Sequence, residues 1–219
     1  MPTHVSTHIK IEGDHDVIEE FLSSMVSKYR EFDFSNIIPP SLDNLEGYKN
    51  LERWKEGNWG TATNAYDVRI KHSSDSTEIR FNTEWTPPVP VFIELSKINT
   101  SLTFDINFAD DDELNDTFGA VSIKEGILLA KEIKPKSIEA YKLVFNTLDY
   151  SVNHAMCRLM DCESDEELDN EHIAMLEIVF DREGKEDILP EFIVKKLEKM
   201  AVDVENFEYA GQLKKCRES

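Results

Sequence analysis

The sequence predicts an α+β fold, with an antiparallel sheet and its helices in the first part of the chain and helices alone after it. Four segments before residue 110 alternate apolar and polar side chains with period two, which is typical of strands with one buried face and one face in water. This alternation favours antiparallel pairing, because the strands of parallel sheets are usually buried on both faces. After Pro135 the apolar residues recur with the helical period instead.

The predicted strands and helices follow the order β-α-β-β-α-β. The alternating segments are residues 5–11, 66–71, 78–85 and 102–108. The side chains predicted to face the core include Tyr66 in the second strand and Trp85 in the third. The polar stretch HSSDS is predicted to turn between these two strands. The order is that of the ferredoxin-like arrangement, and both helices are expected to cover the apolar face of the sheet.

Local signals place the two helices of this arrangement. Asp14 is positioned to cap the first helix, whose apolar side chains up to Tyr29 fall on one face. Pro87, Pro88 and Pro90 are predicted to open the second helix, because prolines are tolerated in the first turn of a helix and not deeper.

A further hairpin is predicted to complete the sheet domain, and two helical regions follow it. The segment FGAVSIKEGILLAKEI is predicted to turn at Glu125 and Gly126. The next amphipathic stretch has a predicted break near Ser151, and Ser164 with Glu167 forms a capping-box signature for a later helix. The predicted domains are residues 1–133 for the sheet domain, 136–186 for a helical region and 188–219 for a helical hairpin.

The charge of the chain restricts its partners. The 219 residues carry a formal net charge of −20, which opposes direct binding to nucleic acid because the phosphates would be repelled. The same charge suits a basic protein partner or imitation of nucleic acid. The three cysteines form no CxxC pair, and no signal peptide or membrane-spanning run is present, so we expect a cytoplasmic protein that binds no membrane.

Three motifs in order carry a resemblance to a known family. They are FDFSNIIPPS, NWGTATNAYD and FNTEWTPPVPVFIELSK. Together they resemble the ferredoxin-like family of phage and plasmid accessory proteins typified by YubB, over residues 1–133. The chain departs from that pattern at Ala62 and Thr63, where the family has a basic residue and a Trp. The resemblance implies a mobile-element protein in the cytoplasm of a host cell and implies no chemistry.

The C-terminal segment LEKMAVDVENFEYAGQLKKCRE resembles the UvrB/UvrC motif, a short antiparallel helix pair used for protein–protein contact. An ordinary amphipathic hairpin is the alternative. Isolated helices below about 12–15 residues are marginal in water, so the two apolar stripes must be covered by the chain itself, by a second copy in a homodimer, or by a partner. The predicted contact residues are Phe192, Leu197, Met200, Phe207 and Leu213.

One candidate binding site surrounds the tryptophans. It consists of Trp54, Asn58, Trp59, Asn64 and Trp85, with the rings as a pocket lining and the amides as polar contacts. The alternative is that the stretch NWGTATNAYD only forms the turn that precedes the second strand. The open face of the sheet is predicted to hold no aromatic side chain, which disfavours an RNA-recognition module.

Metal and catalytic sites are not predicted. His4 and His8 lie roughly 13 Å apart along an extended strand, too far to share one metal ion. The acidic run of residues 109–116 lacks the Gly and Glu of a calcium loop, and His154 with Cys157 and Cys162 lacks a fourth ligand. No nucleophile motif or phosphate-binding glycine loop occurs, so we expect no enzyme and no cofactor.

Two classes of function therefore remain open. The first is a non-enzymatic interaction protein of a phage or plasmid that binds a host or phage protein, by DNA mimicry in its narrowest form. The second is a small-molecule or nucleotide-binding module that uses the region of Trp54, Trp59 and Trp85.

Overall fold

The computed structural model describes residues 3–40, 48–73, 76–110, 117–160 and 169–183. The chain divides into two units. The first comprises Met1–Ile133 with Asn146–Leu148, and the second comprises Lys134–Phe145 with Asp149–Ser219.

A six-stranded antiparallel sheet forms the frame of the first unit. Its strands are β1 His4–Glu12, β2 Tyr66–His72, β3 Thr77–Glu84, β4 Thr103–Asp110, β5 Phe118–Lys124 and β6 Ile127–Lys131. They lie in the order β2-β3-β1-β4-β5-β6, so the first four strands have the predicted ferredoxin-like arrangement and the β5–β6 hairpin extends the sheet beyond β4. The predicted fold class is confirmed.

Six α-helices accompany the sheet or follow it in the described part of the chain. They are α1 His15–Met25, α2 Tyr48–Trp59, α3 Val89–Ile98, α4 Ile138–Thr147, α5 Val152–Met160 and α6 Asn170–Glu183. Helix α2 was not predicted, and it is polar on most positions and contains Gly57. Such a helix is hard to recognise from apolar periodicity alone.

The core of the first unit lies on the face of the sheet that α1 and α3 cover. Buried strand residues such as Ile9, Ile79 and Phe104 pack there with helix residues. Phe32 stacks on Phe81 and Phe92, with ring centroids 5.6 and 6.3 Å apart. Fully burying a side chain of this size contributes about 1.5–3 kcal/mol, so these aromatic contacts stabilise the whole sheet domain.

Helix α1 ends earlier than its apolar pattern predicts. Asp14 caps it as expected, but the last helical residue is Met25, and Tyr29 is exposed instead of buried. The amide of Asn36 donates to the carbonyl oxygens of Ser24 and Val26, at 2.8 and 3.1 Å. Because these bonds satisfy carbonyl groups at the end of the helix, the chain turns away there.

Strand β2 also departs from the predicted alternation. Asp67 has a positive φ of 53°, and the register against β3 shifts between Tyr66 and Arg69, as in a β-bulge. Tyr66 therefore lies opposite Asn82, on the face that the core does not use. The expectation that Tyr66 faces the core is wrong, because the bulge moves it to the other side of the sheet.

Strand β3 ends one residue before Trp85, which was predicted to continue its buried row. Trp85 has a φ of 71°, whereas strand residues need a negative φ. Its side chain is 50% exposed. The prediction of a buried Trp85 is wrong, because the backbone leaves the strand at this residue.

The second unit has its own apolar cluster, formed by residues of α4, α5 and α6. Its buried members include Phe145, Leu159 and Leu176. The predicted break near Ser151 is present, since α4 ends at Thr147 and α5 begins at Val152. The predicted capping box at residues 164–167 and the hairpin at residues 188–219 lie outside the described residues. The predicted domain limits stay predictions.

Candidate functional site

Two of the three tryptophans form part of the core wall. Trp59 ends α2, is only 2% exposed, and donates its indole N–H to the carbonyl oxygen of Ile38 at 2.9 Å. Trp54 packs edge-on against it, with ring centroids 5.8 Å apart. Both rings therefore have structural partners, and a buried indole with a satisfied N–H is a packing residue.

The glycine after Trp59 explains the short NWG sequence. Gly60 has a φ of 79°, and a Cβ atom at this position would lie 2.7 Å from Cδ of Pro90. Only glycine tolerates both the left-handed conformation and this close approach. At this turn the end of α2 therefore packs closely against the start of α3.

Asn64 holds two loops of the first unit together. Its side-chain oxygen accepts hydrogen bonds from the backbone N–H groups of Phe34 and Ala65, at 3.0 and 2.9 Å. Its amide nitrogen donates to Asp33 at 2.6 Å. Burial opposes ionisation of Asp33, but hydrogen bonds from Ser27, Ser35 and Asn64 outweigh it and lower the pKa of this carboxyl group. Asn64 is thus a buried structural amide.

Asn58 and Trp85, the other two predicted site residues, lie apart from that network. Asn58 is exposed, and its amide donates to the carbonyl oxygen of Trp54 at 2.8 Å. Within the part of the chain that the structure describes, the Trp85 ring makes no contact with the rings of Trp54 and Trp59. Of the three rings in the predicted site, Trp54 and Trp59 are in contact with each other, and the site as a whole stays a prediction.

Lys55 adds a cationic group to the tryptophan region. Its ammonium lies 5.5 Å from the centre of the Trp59 ring, within the range of a cation–π contact. Burial lowers the pKa of Lys55, and the nearby charge of Arg30 lowers it further. A partly desolvated cation beside an indole is the feature of this region that could attract an anionic ligand.

The open face of the sheet carries paired polar side chains. Tyr66 contacts His4 through its hydroxyl group and edge-on through its ring. Ser6 donates to Asn82 at 2.8 Å, and His8 lies 3.2 Å from Glu78. The presence of Tyr66 here corrects the expectation that this face holds no aromatic residue.

The β5–β6 hairpin presents the most exposed aliphatic residues of the sheet. Ile127 and Leu129 are 64% and 67% exposed, and Leu128 is 36% exposed. All five residues of β6 are exposed, and β6 is an outer strand of the sheet. The sequence signal for this surface is ILLAK, an apolar run without alternation that follows the turn. The hairpin was predicted, but the exposure of this run was not.

Contacts with α3 fix the turn of this hairpin. Glu125 and Gly126 have φ angles of 52° and 77°, as in the two-residue turns that suit hairpins. The N–H of Gly126 donates to the hydroxyl oxygen of buried Ser96 at 2.8 Å. A Cβ atom on Gly126 would lie 2.8 Å from the Lys97 side chain. The exposed strand therefore extends from an anchored turn.

Several predicted groups fall partly or wholly beyond the described residues. They include Cys162, most of the acidic run at 109–116, and the hairpin residues Phe192, Leu197, Met200, Phe207 and Leu213. Cys157 is described and exposed. In the described ranges, no group of three His, Cys, Asp or Glu side chains is arranged to hold a metal ion. No described helix has the length and apolar character that crossing a membrane requires.

Comparison with known proteins places the chain in a family. The family described as the ferredoxin-like domain in Api92-like protein matches residues 65–176, just over half of the sequence. The chain belongs to this family. A solved structure, protein api92 from Yersinia pseudotuberculosis, is similar at 15% identity and a TM-score of 0.37, over 47% of this chain and 40% of that chain. No curated protein matches the sequence.

The Api92-like domain includes some of the candidate residues and excludes others. The match begins at residue 65, so Trp54, Asn58, Trp59 and Asn64 precede it. It contains Trp85 and the whole β5–β6 hairpin. The exposed hairpin is thus part of the Api92-like domain.

Proposed function

We propose that this Api92-like chain is a non-enzymatic protein-binding module and that the β5–β6 hairpin is its docking surface. The observation that carries the proposal is the exposure of Ile127 and Leu129, each about two-thirds accessible on an outer strand. Exposed apolar residues side by side on an edge strand are costly to leave in water and prone to pairing with another chain. A protein partner would cover them.

The resemblance to the YubB-type family supports a phage or plasmid origin for this role. We infer that the protein acts in the cytoplasm of a host cell and binds a host or phage protein there. The net charge of −20 supports a protein partner over nucleic acid, because phosphate contacts would be repelled. The proposed role therefore includes no direct binding of DNA or RNA.

DNA mimicry is the narrowest form of the proposal, and it needs a row of carboxylates on one surface. The described open face of the sheet mixes charges instead: Glu78 and Asp105 alternate there with Lys10, Arg69 and Arg80. This mixture favours docking through the hairpin over mimicry through the sheet. The two forms differ in salt dependence, since mimicry would weaken steeply as salt rises.

Affinity capture with matched variants tests the proposed docking surface. Full-length protein, Leu129→Asp and Val26→Asp are immobilised and exposed to bacterial lysate. Val26 is an exposed aliphatic residue just after α1, so its variant controls for the added charge. We expect Leu129→Asp to lose a captured protein that Val26→Asp retains. Capture that both variants retain equally would contradict the assignment of the hairpin.

A second candidate is a small-molecule or nucleotide-binding module around Trp54 and Trp59. The position of the Lys55 ammonium, 5.5 Å from the centre of the Trp59 ring, favours it, because a cation next to an aromatic ring offers both charge and a flat apolar surface to a planar anion. The structural bonding of Trp59 and Asn64 weighs against it. This alternative predicts ligand binding that Lys55→Met abolishes and Leu129→Asp leaves unchanged, which separates it from the first proposal.

A further inference from the structure

We propose that the side-chain amine of Lys55 is a site of covalent acylation and that acyl phosphates are the class of reagent that acylates it. The inference goes beyond the proposed function, because it concerns a chemical reaction on α2 and not binding at the β5–β6 hairpin. It is carried by a cluster of groups around Lys55. The amine lies against an indole ring and close to a second cation, and no ion pair among the described residues includes it.

The Trp59 ring removes water from one side of the Lys55 amine. Lys55 is partly buried on α2, and its ammonium lies 5.5 Å from the centre of this ring. The distance is near the outer limit of a cation–π contact, about 6 Å, so the ring attracts the charge only weakly while it displaces solvent. Loss of water from an ammonium group disfavours its charged form.

Arg30 acts on Lys55 in the same direction. Its guanidinium donates to the carbonyl oxygen of Ala65 at 3.2 Å, a bond that holds it beside the loop that follows α2. Burial is the larger cause of the lowered pKa of Lys55, and the charge of Arg30 lowers this pKa further. The charges of Glu52 and Glu84 oppose these effects but do not reverse the shift.

Such surroundings activate a lysine as a nucleophile. A lysine reacts more readily when it is desolvated or next to another cationic group, because only the neutral amine has a free electron pair. In the proposed reaction the Nζ electron pair of Lys55 attacks the acyl carbon of an acyl phosphate. The bond from that carbon to the phosphate oxygen breaks, inorganic phosphate leaves with the bonding pair, and Nζ releases one proton to water. The product is an amide, and no oxidant or reductant is needed.

Arg30 also gives the reason for acyl phosphates as the class of reagent. Its bond to Ala65 uses one of the several N–H donors of the guanidinium, and no ion pair among the described residues includes Arg30. A planar guanidinium binds phosphate in a bidentate manner. Arg30 is therefore placed to hold the phosphate of the reagent while the neighbouring amine of Lys55 attacks. An acylating agent without a phosphate has no such contact.

Acylation would change the chemistry of the tryptophan region. An amide is uncharged, so the modification would remove the cation beside the Trp59 ring. It would also end the repulsion between Lys55 and Arg30. The second candidate function depends on that cation, and acylation of Lys55 would therefore prevent the binding of an anionic ligand there.

Site-resolved acetylation of the full-length protein tests the inference. The protein is treated with acetyl phosphate at neutral pH to low conversion, and mass spectrometry of its peptides gives the acetylated fraction of each lysine. Lys10 is the internal reference, since its amine lies 2.6 Å from Glu12 and this hydrogen bond raises its pKa. Lys10 is more exposed than Lys55, so exposure alone predicts faster acetylation of Lys10. We expect Lys55 to react at least about fivefold faster than Lys10.

Two substitutions of arginine separate the effect of Arg30 from a general effect of charge. Arg30→Gln removes the cation next to Lys55. Arg53→Gln removes an exposed cation two positions away on α2, and residues at this spacing do not face each other on a helix. We expect Arg30→Gln to slow the acetylation of Lys55 at least about threefold and Arg53→Gln to change it less than about 1.5-fold. Acetic anhydride, which contains no phosphate, should be slowed less by Arg30→Gln than acetyl phosphate is.

Each outcome either supports or overturns the inference. Acetylation of Lys55 no faster than that of Lys10 would overturn it, and this comparison needs no variant. Equal rates at Lys55 in the two arginine variants, with both shown to fold by thermal melting, would overturn the role of Arg30. Equal slowing of both reagents by Arg30→Gln would overturn acyl phosphates as the reagent class. Leu129→Asp is expected to leave the acetylation of Lys55 unchanged, so failure of this inference is distinct from failure of the docking surface.

Discussion

Asn64 illustrates how contacts with distant residues give a polar side chain a structural role that its local sequence does not show. In the sequence it stands in a polar stretch between two tryptophan-containing segments, as a ligand-binding amide would. In the folded chain its side-chain amide is hydrogen-bonded to Phe34, Ala65 and Asp33. Sequence alone cannot reveal this, because two of these three partners lie about thirty residues away along the chain.

Replacement of Asn64 is expected to destabilise the protein. Asn64→Ala leaves the buried N–H of Phe34 without its acceptor and removes a bond to Asp33. A buried group that loses its hydrogen-bond partner costs about 1–3 kcal/mol, so we expect a loss of about 2–3 kcal/mol in the free energy of unfolding, measured in urea. Asn58→Ala is the control. Its exposed amide makes a bond within one helix, and its loss should cost less than about 0.5 kcal/mol.

The burial of Trp59 and of Trp85 also differs from what the sequence predicts, and the two residues differ in opposite ways. Trp59 was a candidate ligand contact and is buried in the core, whereas Trp85 was placed in a buried strand row and is half exposed. Side-chain type predicts that a tryptophan has partners, but the backbone angles decide where they lie. The positive φ of Trp85 is not encoded by a glycine or an asparagine, so no local signal marked it.

At the scale of single elements, the period-two pattern predicted strands well and faces less well. β1 and β3 bury the predicted side chains of their strands, and β4 buries Phe104 and Ile106 but leaves Phe108 only partly buried. β2 does not follow the prediction, because the extra residue in the bulge at Asp67 puts Tyr66 on the opposite face of the sheet from the one that unbroken alternation predicts. Helix α2 was missed, and α1 ends at Met25 because Asn36 bonds its last turn. Of these departures, the early end of α1 involves a residue distant along the chain, whereas α2 was missed because most of its positions are polar.

The turn of the β5–β6 hairpin offers a prediction at this scale. Gly126→Ala puts a Cβ atom against Lys97 at a φ of 77°, and a left-handed conformation costs a non-glycine residue roughly 1–2 kcal/mol. Glu125 already has a φ of 52° without the advantage of asparagine. We therefore expect Gly126→Ala to lower the melting temperature and Glu125→Asn to raise it. For Glu125→Asn the gain in the free energy of unfolding should be about 0.5–1 kcal/mol. Two shifts of the same sign would contradict the assigned turn.

At the scale of the whole molecule, the order of the elements was predictable and the surface of the hairpin was not. The order β-α-β-β-α-β follows from apolar periodicity and from proline and cap positions, which are local signals. The exposure of β6 depends on its place at the edge of the sheet, and that place is set by the order in which the strands pair. Its apolar run reads equally well as a buried strand, so only the structure separates a core strand from an exposed edge.

The sheet domain is expected to fold without the helical unit. All buried members of the main core cluster lie between Ile9 and Ile123, so a fragment of residues 1–133 retains the whole core and all six strands. We expect this fragment to melt cooperatively, as small single domains do.

Asn146–Leu148 also belongs to the first unit, where the Arg80 guanidinium donates to the carbonyl oxygens of Asn146 and Thr147 at 2.9 and 3.1 Å. A fragment of residues 1–148 should therefore be more stable by about 1.5–3 kcal/mol, the range for hydrogen bonds that involve a charged group. Calorimetry on both fragments measures the difference, with Arg80→Met in the longer one as the control that removes it. A 1–133 fragment without a cooperative transition would mean that the core cluster needs the rest of the chain to form.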